Sequence, residues 1–252
     1  MTDSVNKLTL NLAKYYLEQN RGVNTISVSG YLAYFTLLLV NTGLQGQAKY
    51  DLSAFLDCNY SYLQFSECYK FLEYECIHSF TIDEFSMIGR VKSAIFHSSP
   101  PVEDFKRIAY ESYDFEHISI HPTDGARQYY AMEYWTELLK NVPISRILPE
   151  SVYTELKLMI LHEYIVSFKW LKPAKARYTQ IAPFTDLYSR IIPVKMMRMI
   201  DYYKCFHDDD VRASILFIDL ETNGTYAVVV LPYLNENIMD VIKRLNVFYH
   251  NI

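Results

Sequence analysis

The 252 residues include 24 basic and 29 acidic side chains, for a formal net charge of −5, and 50% of the chain is hydrophobic. This composition excludes intrinsic disorder and small scaffolds, because it can build a sizeable core. The acidic balance also lacks the basic footprint of a nucleic-acid-binding protein.

The first third of the chain is predicted to be helical. Apolar residues recur at helical spacing over residues 8–16, and turn residues at 20–22 end this helix. A second helix begins after Ser29 and stops at Gly43. Because it is apolar all round, we expect it to be buried on every side. Further helices are predicted at 47–56 and 62–78.

The middle third alternates between strands and helices, which predicts a single sheet with helices packed on it. Strands are predicted at 87–96 and 115–120, and helices at 102–112 and 125–141. The nearly continuous apolar run at 156–166 has the pattern of a central strand that is covered on both faces.

The last third has β character. The turn sequence at 221–224 indicates a hairpin, and a helix at 235–246 is the last predicted element. Because no linker or repeat interrupts the pattern, we predict one α+β domain over residues 1–252. The strands are predicted at 193–198, 202–206, 213–219 and 226–231.

The cysteines and the N-terminus bear on the cellular compartment. The four cysteines (Cys58, Cys68, Cys76 and Cys205) are too few and scattered for a disulfide framework, so we expect reduced, buried thiols. The polar N-terminus lacks the basic lead and apolar core of a signal peptide. We therefore expect a cytoplasmic protein, with secretion as the alternative. The glycosylation sequons at Asn59 and Asn223 are therefore expected to be chance matches, which matter only in the secretory route.

Several side chains could carry chemistry, but none stands in a complete catalytic set. His162 and Glu163 form half of a zinc-protease motif, and a histidine in a buried strand is expected to be a hydrogen-bonded core residue. The acidic run at 207–210 is better explained as a charged turn than as a cation site. His117 and His121 fix no site by their spacing. We expect no enzyme, metal or cofactor; a hydrolase would require His162 and Glu163 in an open pocket.

Seven short segments of the chain match, in the same order, segments of one known protein family. Residues 29–46 match a stretch that opens with Ser-Pro, continues as a buried helix and ends in Gly-Ala-x-Gly. Residues 159–170 match the spacing of Val-Leu-x-Asn-Ala-x-Tyr-Phe-x-Gly-x-Trp. Shorter matches lie at 94–96, 132–135, 182–184, 194–197 and 228–232. Together these segments make the chain similar to a serpin.

The resemblance implies a serpin-like fold, in which helices pack on a central mixed β-sheet beside a second, smaller sheet. It covers roughly the N-terminal two-thirds of a serpin, so the C-terminal strands and the reactive loop are expected to be missing. Serpins inhibit proteases when that loop is cleaved and inserts into the sheet as a strand. A chain without the loop is therefore expected not to inhibit proteases by this mechanism.

The chain departs from the family at positions where the serpin sheet opens. At these shutter and breach positions it has Ser29, Gly30, Leu32, His162 and Trp170. Gly30 replaces the shutter proline, Leu32 the second shutter serine and His162 the shutter asparagine, whereas Trp170 matches the family tryptophan. A leucine side chain cannot join a hydrogen-bonded network. We therefore expect that natural selection no longer maintains the opening of the sheet in this chain. The alternative explanation of these departures is that the core of a distant relative packs differently, without any change in function.

The resemblance leads to two functional hypotheses. The first is a non-inhibitory module that binds a protein, including a second copy through an exposed sheet edge, but neither nucleic acid nor membrane. Modulation of host responses by a large DNA virus is one setting that the family permits. The second is an inhibitor of serine or cysteine proteases whose loop comes from another chain, or from residues 98–101 or 219–225.

Overall fold

The structure is a computed structural model that describes most of the chain. Several predicted features lie outside the described residues: the end of the first helix, most of the helix at 62–78, Cys68 and residues 137–141. The chain divides into two units, one formed by residues 31–167 and the other by residues 2–30 and 168–252. The described residues are 2–19, 26–59, 71–72, 74–76, 80–86, 88–136, 156–185 and 190–248.

The helices and strands mostly begin and end within a few residues of the predicted positions. The helices are α1 (Thr2–Gln19), α2 (Gly30–Gly43), α3 (Gly46–Phe55), α4 (Ile82–Ser86), α5 (Glu103–Glu111), α6 (Gly125–Thr136) and α7 (Ile238–Phe248). The strands are β1 (Gly89–His97), β2 (Phe115–Ser119), β3 (Leu158–Val166), β4 (Gln180–Thr185), β5 (Ile191–Met196), β6 (Lys204–Asp208), β7 (Ala213–Asp219) and β8 (Tyr226–Pro232).

The first unit contains a three-stranded mixed sheet in the order β2-β1-β3. β1 pairs in parallel with β2 and antiparallel with β3. The C-terminal half of β1, from Ser93 to His97, is buried. β3 differs from the prediction of a central strand: it ends the order of this sheet, and most of its residues are only half-buried. Its apolar sequence resembles that of a central strand although, among the described residues, no strand pairs with its second edge.

Helix α2 is buried as its composition predicts. Its residues from 30 to 42 are all buried or half-buried, because apolar side chains occupy every side of the helix. The aromatic ring of Phe35 lies 4.7 Å from that of Tyr113. The side chains of Phe35, Leu38 and Leu39 are fully buried, so α2 is a core element of the first unit.

Trp135 anchors α6 to the sheet, as expected of a buried tryptophan. Its ring packs edge-on against Phe96, with 5.8 Å between ring centroids. Its indole N–H donates a hydrogen bond of 3.1 Å to Glu116 Oε2. The Lys92 ammonium lies 4.7 Å from the ring centroid and 3.4 Å from the same carboxylate. Apolar burial and charge therefore fix one position of this side chain.

The second unit contains two antiparallel sheets. One is the β4–β5 pair, and the other has the order β6-β7-β8. The turn at 221–224 joins β7 to β8, as the sequence predicts. Val241 of α7 packs with Val211 and Ala213 in a buried cluster, against which Val230 also lies. Helix α7 therefore covers part of one face of this sheet.

Strand β4 was not predicted as a strand from periodicity, and β5 lies two residues earlier than expected. Each strand contains a proline, and Pro183 of β4 stands directly opposite Pro193 of β5. Proline has no N–H to donate, so its presence weakens a strand prediction. Antiparallel strands alternate between positions that exchange hydrogen bonds and positions that do not, and two facing prolines are compatible with a position of the second kind.

The expectation of reduced, buried cysteines is wrong for three of the four residues. Cys58 and Cys76 form a disulfide, with 5.8 Å between their Cα atoms, and both are buried. Cys205 is a free thiol, but it is exposed. The pairing is a long-range contact between the segment after α3 and the helical residues 74–76, which the spacing of cysteines alone does not reveal. In the part of the chain that is described, no helix has the length and apolarity needed to cross a membrane.

Candidate functional site

A polar cluster in the first unit links helix α2 to strands β1 and β3. His162 on β3 stands opposite Ser93 on β1 in the antiparallel pair. Its Nδ1 lies 2.8 Å from Ser93 Oγ, and its Nε2 lies 2.5 Å from Thr36 Oγ1 on α2. We call Thr36, Ser93 and His162 the histidine cluster. It fixes one face of the sheet to the buried helix.

The hydrogen bonds of the cluster determine which ring nitrogen carries the proton. The Thr36 hydroxyl donates its hydrogen to the Leu32 carbonyl, at 2.8 Å. A hydroxyl has only one hydrogen to donate, so it accepts from His162 Nε2–H. His162 Nδ1 is then unprotonated and accepts from the Ser93 hydroxyl. Neutral His162 therefore forms hydrogen bonds through both ring nitrogens.

Burial also keeps His162 uncharged. Desolvation lowers the pKa of His162 to about 4, because a charged imidazolium loses its hydration in this position. The Phe115 ring packs near it, with 5.1 Å between ring centroids. The described contacts provide no carboxylate that would offset the cost of charging the ring. Protonation of His162 therefore opposes the folded state.

Leu32 takes part in the cluster through its main chain only. Its side chain is buried, and it cannot form hydrogen bonds. Its carbonyl oxygen nevertheless accepts from Thr36, which in turn contacts His162. The structure thus connects two of the positions singled out from the sequence, Leu32 and His162, through a residue that the sequence analysis did not select.

Gly30 begins α2 and leaves almost no space for a side chain. A Cβ atom at this position would overlap Thr9 Oγ1 and lie 2.8 Å from the Val5 carbonyl oxygen. Thr9 is held there because its hydroxyl donates to that same carbonyl, at 2.8 Å. Helix α1 therefore occupies the space that a proline ring would need, which gives a physical reason for the departure from the family pattern.

Replacing Gly30 by alanine is expected to destabilise the protein by about 1–3 kcal/mol, the range for overpacking a close contact. The Cβ must displace Thr9 and the first turns of α1. Urea unfolding of Gly30→Ala measures this loss, and Thr9→Ala in the same chain should restore part of it because the nearest atom is removed. Equal stability of Gly30→Ala and the wild-type protein would contradict the tight approach of α1.

Ser29 and Trp170 lie in the second unit. Ser29 is half-buried directly before α2. Trp170 is half-buried, forms an isolated antiparallel bridge with Leu220, and packs edge-on against Phe168 at 5.2 Å. Backbone hydrogen bonds from Leu171 N to Asp219 O and from Glu221 N to Lys169 O flank this bridge. Trp170 therefore attaches the segment after β3 to the end of β7.

His162 and Glu163 do not form a catalytic pair. Consecutive strand residues point to opposite faces of a sheet, so the two side chains diverge. Glu163 is buried, and its burial raises the pKa of the carboxyl, which the Lys92 charge partly offsets. Both ring nitrogens of His162 contact hydroxyl groups of Ser93 and Thr36, so neither is free to act as a catalytic base as the hydrolase hypothesis requires.

Three other residues considered in the sequence analysis, Asp208, His207 and His121, make local hydrogen bonds. In the acidic turn, Asp208 Oδ1 accepts from the Val211 N–H at 2.8 Å, and His207 Nδ1 lies 2.9 Å from Ser214 Oγ. His121 Nδ1 accepts a 3.3 Å hydrogen bond from the Thr123 N–H. His117 lies on β2. Over the described ranges, no group of three or more His, Cys, Asp or Glu residues could hold a metal ion.

Comparison with models of known protein families identifies the family of this chain. The model of the family described as "Serpin (serine protease inhibitor)" matches residues 3–251. The chain belongs to the serpin family. No curated protein is similar enough in sequence to give a significant match.

Solved serpin structures share the fold of this chain at low sequence identity. Mouse protein-Z dependent protease inhibitor is 18% identical with a TM-score of 0.71; the match covers 96% of this chain and 65% of the mouse chain. Serpin48 of the insect Tenebrio molitor is 17% identical with a TM-score of 0.75, covering 98% and 66%. Human thyroxine-binding globulin, in complex with thyroxine, is 14% identical with a TM-score of 0.71, covering 99% and 68%.

The comparisons confirm the predicted serpin-like α+β fold, in which the chain spans about two-thirds of the length of these structures. Within that fold, His162 could be selected from the sequence, whereas the roles of Ser93 and Thr36 were not predicted. Thr36 had a detectable signal, because it is a hydroxyl within an otherwise apolar helix. Ser93 had none, since its role depends on the register between β1 and β3.

Proposed function

We propose that this serpin-family chain is a non-inhibitory binding protein and that the β6-β7-β8 sheet is its contact surface. The observation that supports this proposal is that the sheet exposes large apolar side chains on both faces. Exposed apolar patches on proteins commonly mark interaction sites. The leucine at a shutter serine position, with its side chain buried, supports a role that does not depend on sheet opening.

The register of the sheet assigns the exposed residues to its two faces. Ile215 and Phe217 are two residues apart on β7, so their side chains point to the same face of the sheet. Phe206 pairs with Ile215, and Val228 pairs with Phe217, so Phe206 and Val228 also lie on that face. They are 55% and 43% exposed. Val229 and Leu231, which are 45% and 65% exposed, lie on the other face. A sheet that is apolar on both faces resembles one that is covered on both sides.

The partner that we propose is a second copy of this chain, paired through β8. Among the described residues, no strand pairs with the second edge of β8. Natural edge strands usually carry charges that prevent pairing, whereas Tyr226–Pro232 has no charged residue. Full antiparallel overlap of this strand with its copy places Val229 opposite itself, without like-charge repulsion.

Light scattering after size-exclusion chromatography tests this partner. We expect the wild-type chain to be a dimer and Val229→Lys to be a monomer, because the two lysines would face each other and like charges opposite are destabilising. Ile181→Lys is the matched control, since Ile181 on β4 is 78% exposed and lies outside the proposed interface. A monomeric wild-type chain, or a Val229→Lys dimer, would refute pairing through β8.

Protease inhibition is the second candidate function, favoured by the family description and by the name of the mouse relative. The candidate loops are residues 98–101 and 219–225. In the second, the Thr225 N–H and hydroxyl both donate to the Thr222 carbonyl, which closes a short turn. Incubation with a panel of serine and cysteine proteases distinguishes the functions: an SDS-resistant complex supports inhibition, and its absence supports the binding role.

A further inference from the structure

We infer that Asn223 is an acceptor for an N-linked glycan. It opens the sequon Asn223-Gly224-Thr225, which lies in the turn between β7 and β8. A sequon whose middle residue is not proline is an acceptor when it lies on the surface of a protein in the secretory route. Two observations support this assignment: the geometry of the turn and the disulfide of the first unit.

The turn presents Asn223 to solvent. Residues 221–224 are all exposed. Gly224 has a φ of +76°, and a Cβ atom built there would meet no atom within 4 Å. The space beside Gly224, the residue that follows Asn223, is therefore open. The hydrogen bonds from Thr225 to the Thr222 carbonyl, at 3.1 Å from N and 2.5 Å from Oγ1, hold the turn in this form.

The disulfide identifies a compartment in which such a modification takes place. Cys58 and Cys76 are bonded, and disulfides form and persist in the endoplasmic reticulum and outside the cell, whereas the cytosol keeps thiols reduced. The endoplasmic reticulum is also where N-glycans are attached. The disulfide therefore favours the secretion alternative over a cytoplasmic location, and it gives the sequon a setting in which it is used.

The transfer reaction balances with one co-reactant, a polyprenyl-pyrophosphate-linked oligosaccharide. The side-chain amide nitrogen of Asn223 forms a bond to the anomeric carbon of the first sugar. The bond between that carbon and the pyrophosphate oxygen breaks, and polyprenyl pyrophosphate leaves. The amide nitrogen loses one proton to a base of the transferase, and no group is oxidised or reduced.

The second sequon begins at Asn59 and provides an internal comparison. Asn59 is half-buried and directly follows Cys58, which the disulfide holds in the core. Asn223 lies in a turn whose neighbours are all exposed. We therefore assign the glycan to Asn223 and not to Asn59.

The assignment is tested by secreting the full chain from eukaryotic cells behind an added, cleavable signal peptide. We expect the secreted chain to shift once in gel mobility on treatment with an amidase that removes N-glycans. Asn223→Gln and Thr225→Ala should each abolish this shift, whereas Thr225→Ser and Asn59→Gln should retain it. Gel mobility without reductant shows in each sample that the disulfide has formed.

Two results would overturn the assignment. One is a secreted, disulfide-bonded wild-type chain whose mobility the amidase leaves unchanged. The other is a shift that Asn223→Gln retains and Asn59→Gln removes. Thr225→Ser keeps a hydroxyl at the third position of the sequon, so it should retain the glycan, and the gel without reductant shows whether Thr225→Ala still forms the disulfide.

Discussion

Lowering the pH from 7 to 4 is expected to remove roughly 3 kcal/mol of stability through His162 alone. The folded state lowers the pKa of His162 to about 4, whereas an unfolded histidine titrates near 6.5. Between these values the unfolded chain binds a proton that the folded chain does not. The contribution is therefore fully present above pH 6.5 and is lost as the pH falls towards 4.

Urea unfolding at a series of pH values measures this effect. His162→Gln should reduce the loss between pH 6.5 and 4 by most of that amount, since glutamine stays neutral and can still donate towards Thr36. His121→Gln is the matched control, because His121 is exposed and lies outside the histidine cluster. If His162→Gln keeps the wild-type pH dependence, His162 is not the buried neutral group described above.

The comparison of the variants with the wild-type chain is necessary because other groups titrate in the same range. Burial lowers the pKa of His117 as well, which acts in the same direction as His162. Hydrogen bonds from Arg212 and Arg244 lower the pKa of Glu236, so its contribution is lost at lower pH. Burial raises the pKa of Glu163, which acts in the opposite direction. Only the difference between His162→Gln and wild type isolates the histidine cluster.

Elements with a strong local signal could be predicted from the sequence. Helix α2 is bounded by Ser29 and Gly43 and is predominantly apolar on all sides, so both its extent and its burial follow from the pattern. The hairpin of β7 and β8 follows from two apolar runs around a turn that ends in Gly224. In each case the information lies within about twenty residues, and tertiary contacts agree with it.

Features that depend on distant parts of the chain could not be predicted in this way. The disulfide joins Cys58 to Cys76, whose spacing matches no motif, and the histidine cluster joins residues from α2, β1 and β3. The tight contact at Gly30 depends on where Thr9 of α1 lies. The periodicity of neighbouring residues does not depend on such contacts and therefore cannot predict them. The family resemblance indicated which positions to compare, but not which residues surround them in this chain.

Replacing both Cys58 and Cys76 by alanine is expected to cost about 3 kcal/mol of unfolding free energy. The two cysteines are separated by 18 residues, and cross-linking a loop of that length removes this much conformational freedom from the unfolded chain. Alanine is smaller than cysteine, so it enters both buried positions without a clash. The measurement is urea unfolding under non-reducing conditions.

The reduced wild-type protein should match the double variant, because both lack the cross-link. Cys205→Ala is the control: its thiol is free and exposed, so the variant should unfold at the wild-type urea concentration with or without reductant. An unchanged midpoint for the double variant would show that the disulfide does not contribute to stability. The predicted loss also implies that a chain made in a reducing cytosol unfolds more readily than one made in the secretory route, which is the setting that the glycan at Asn223 requires.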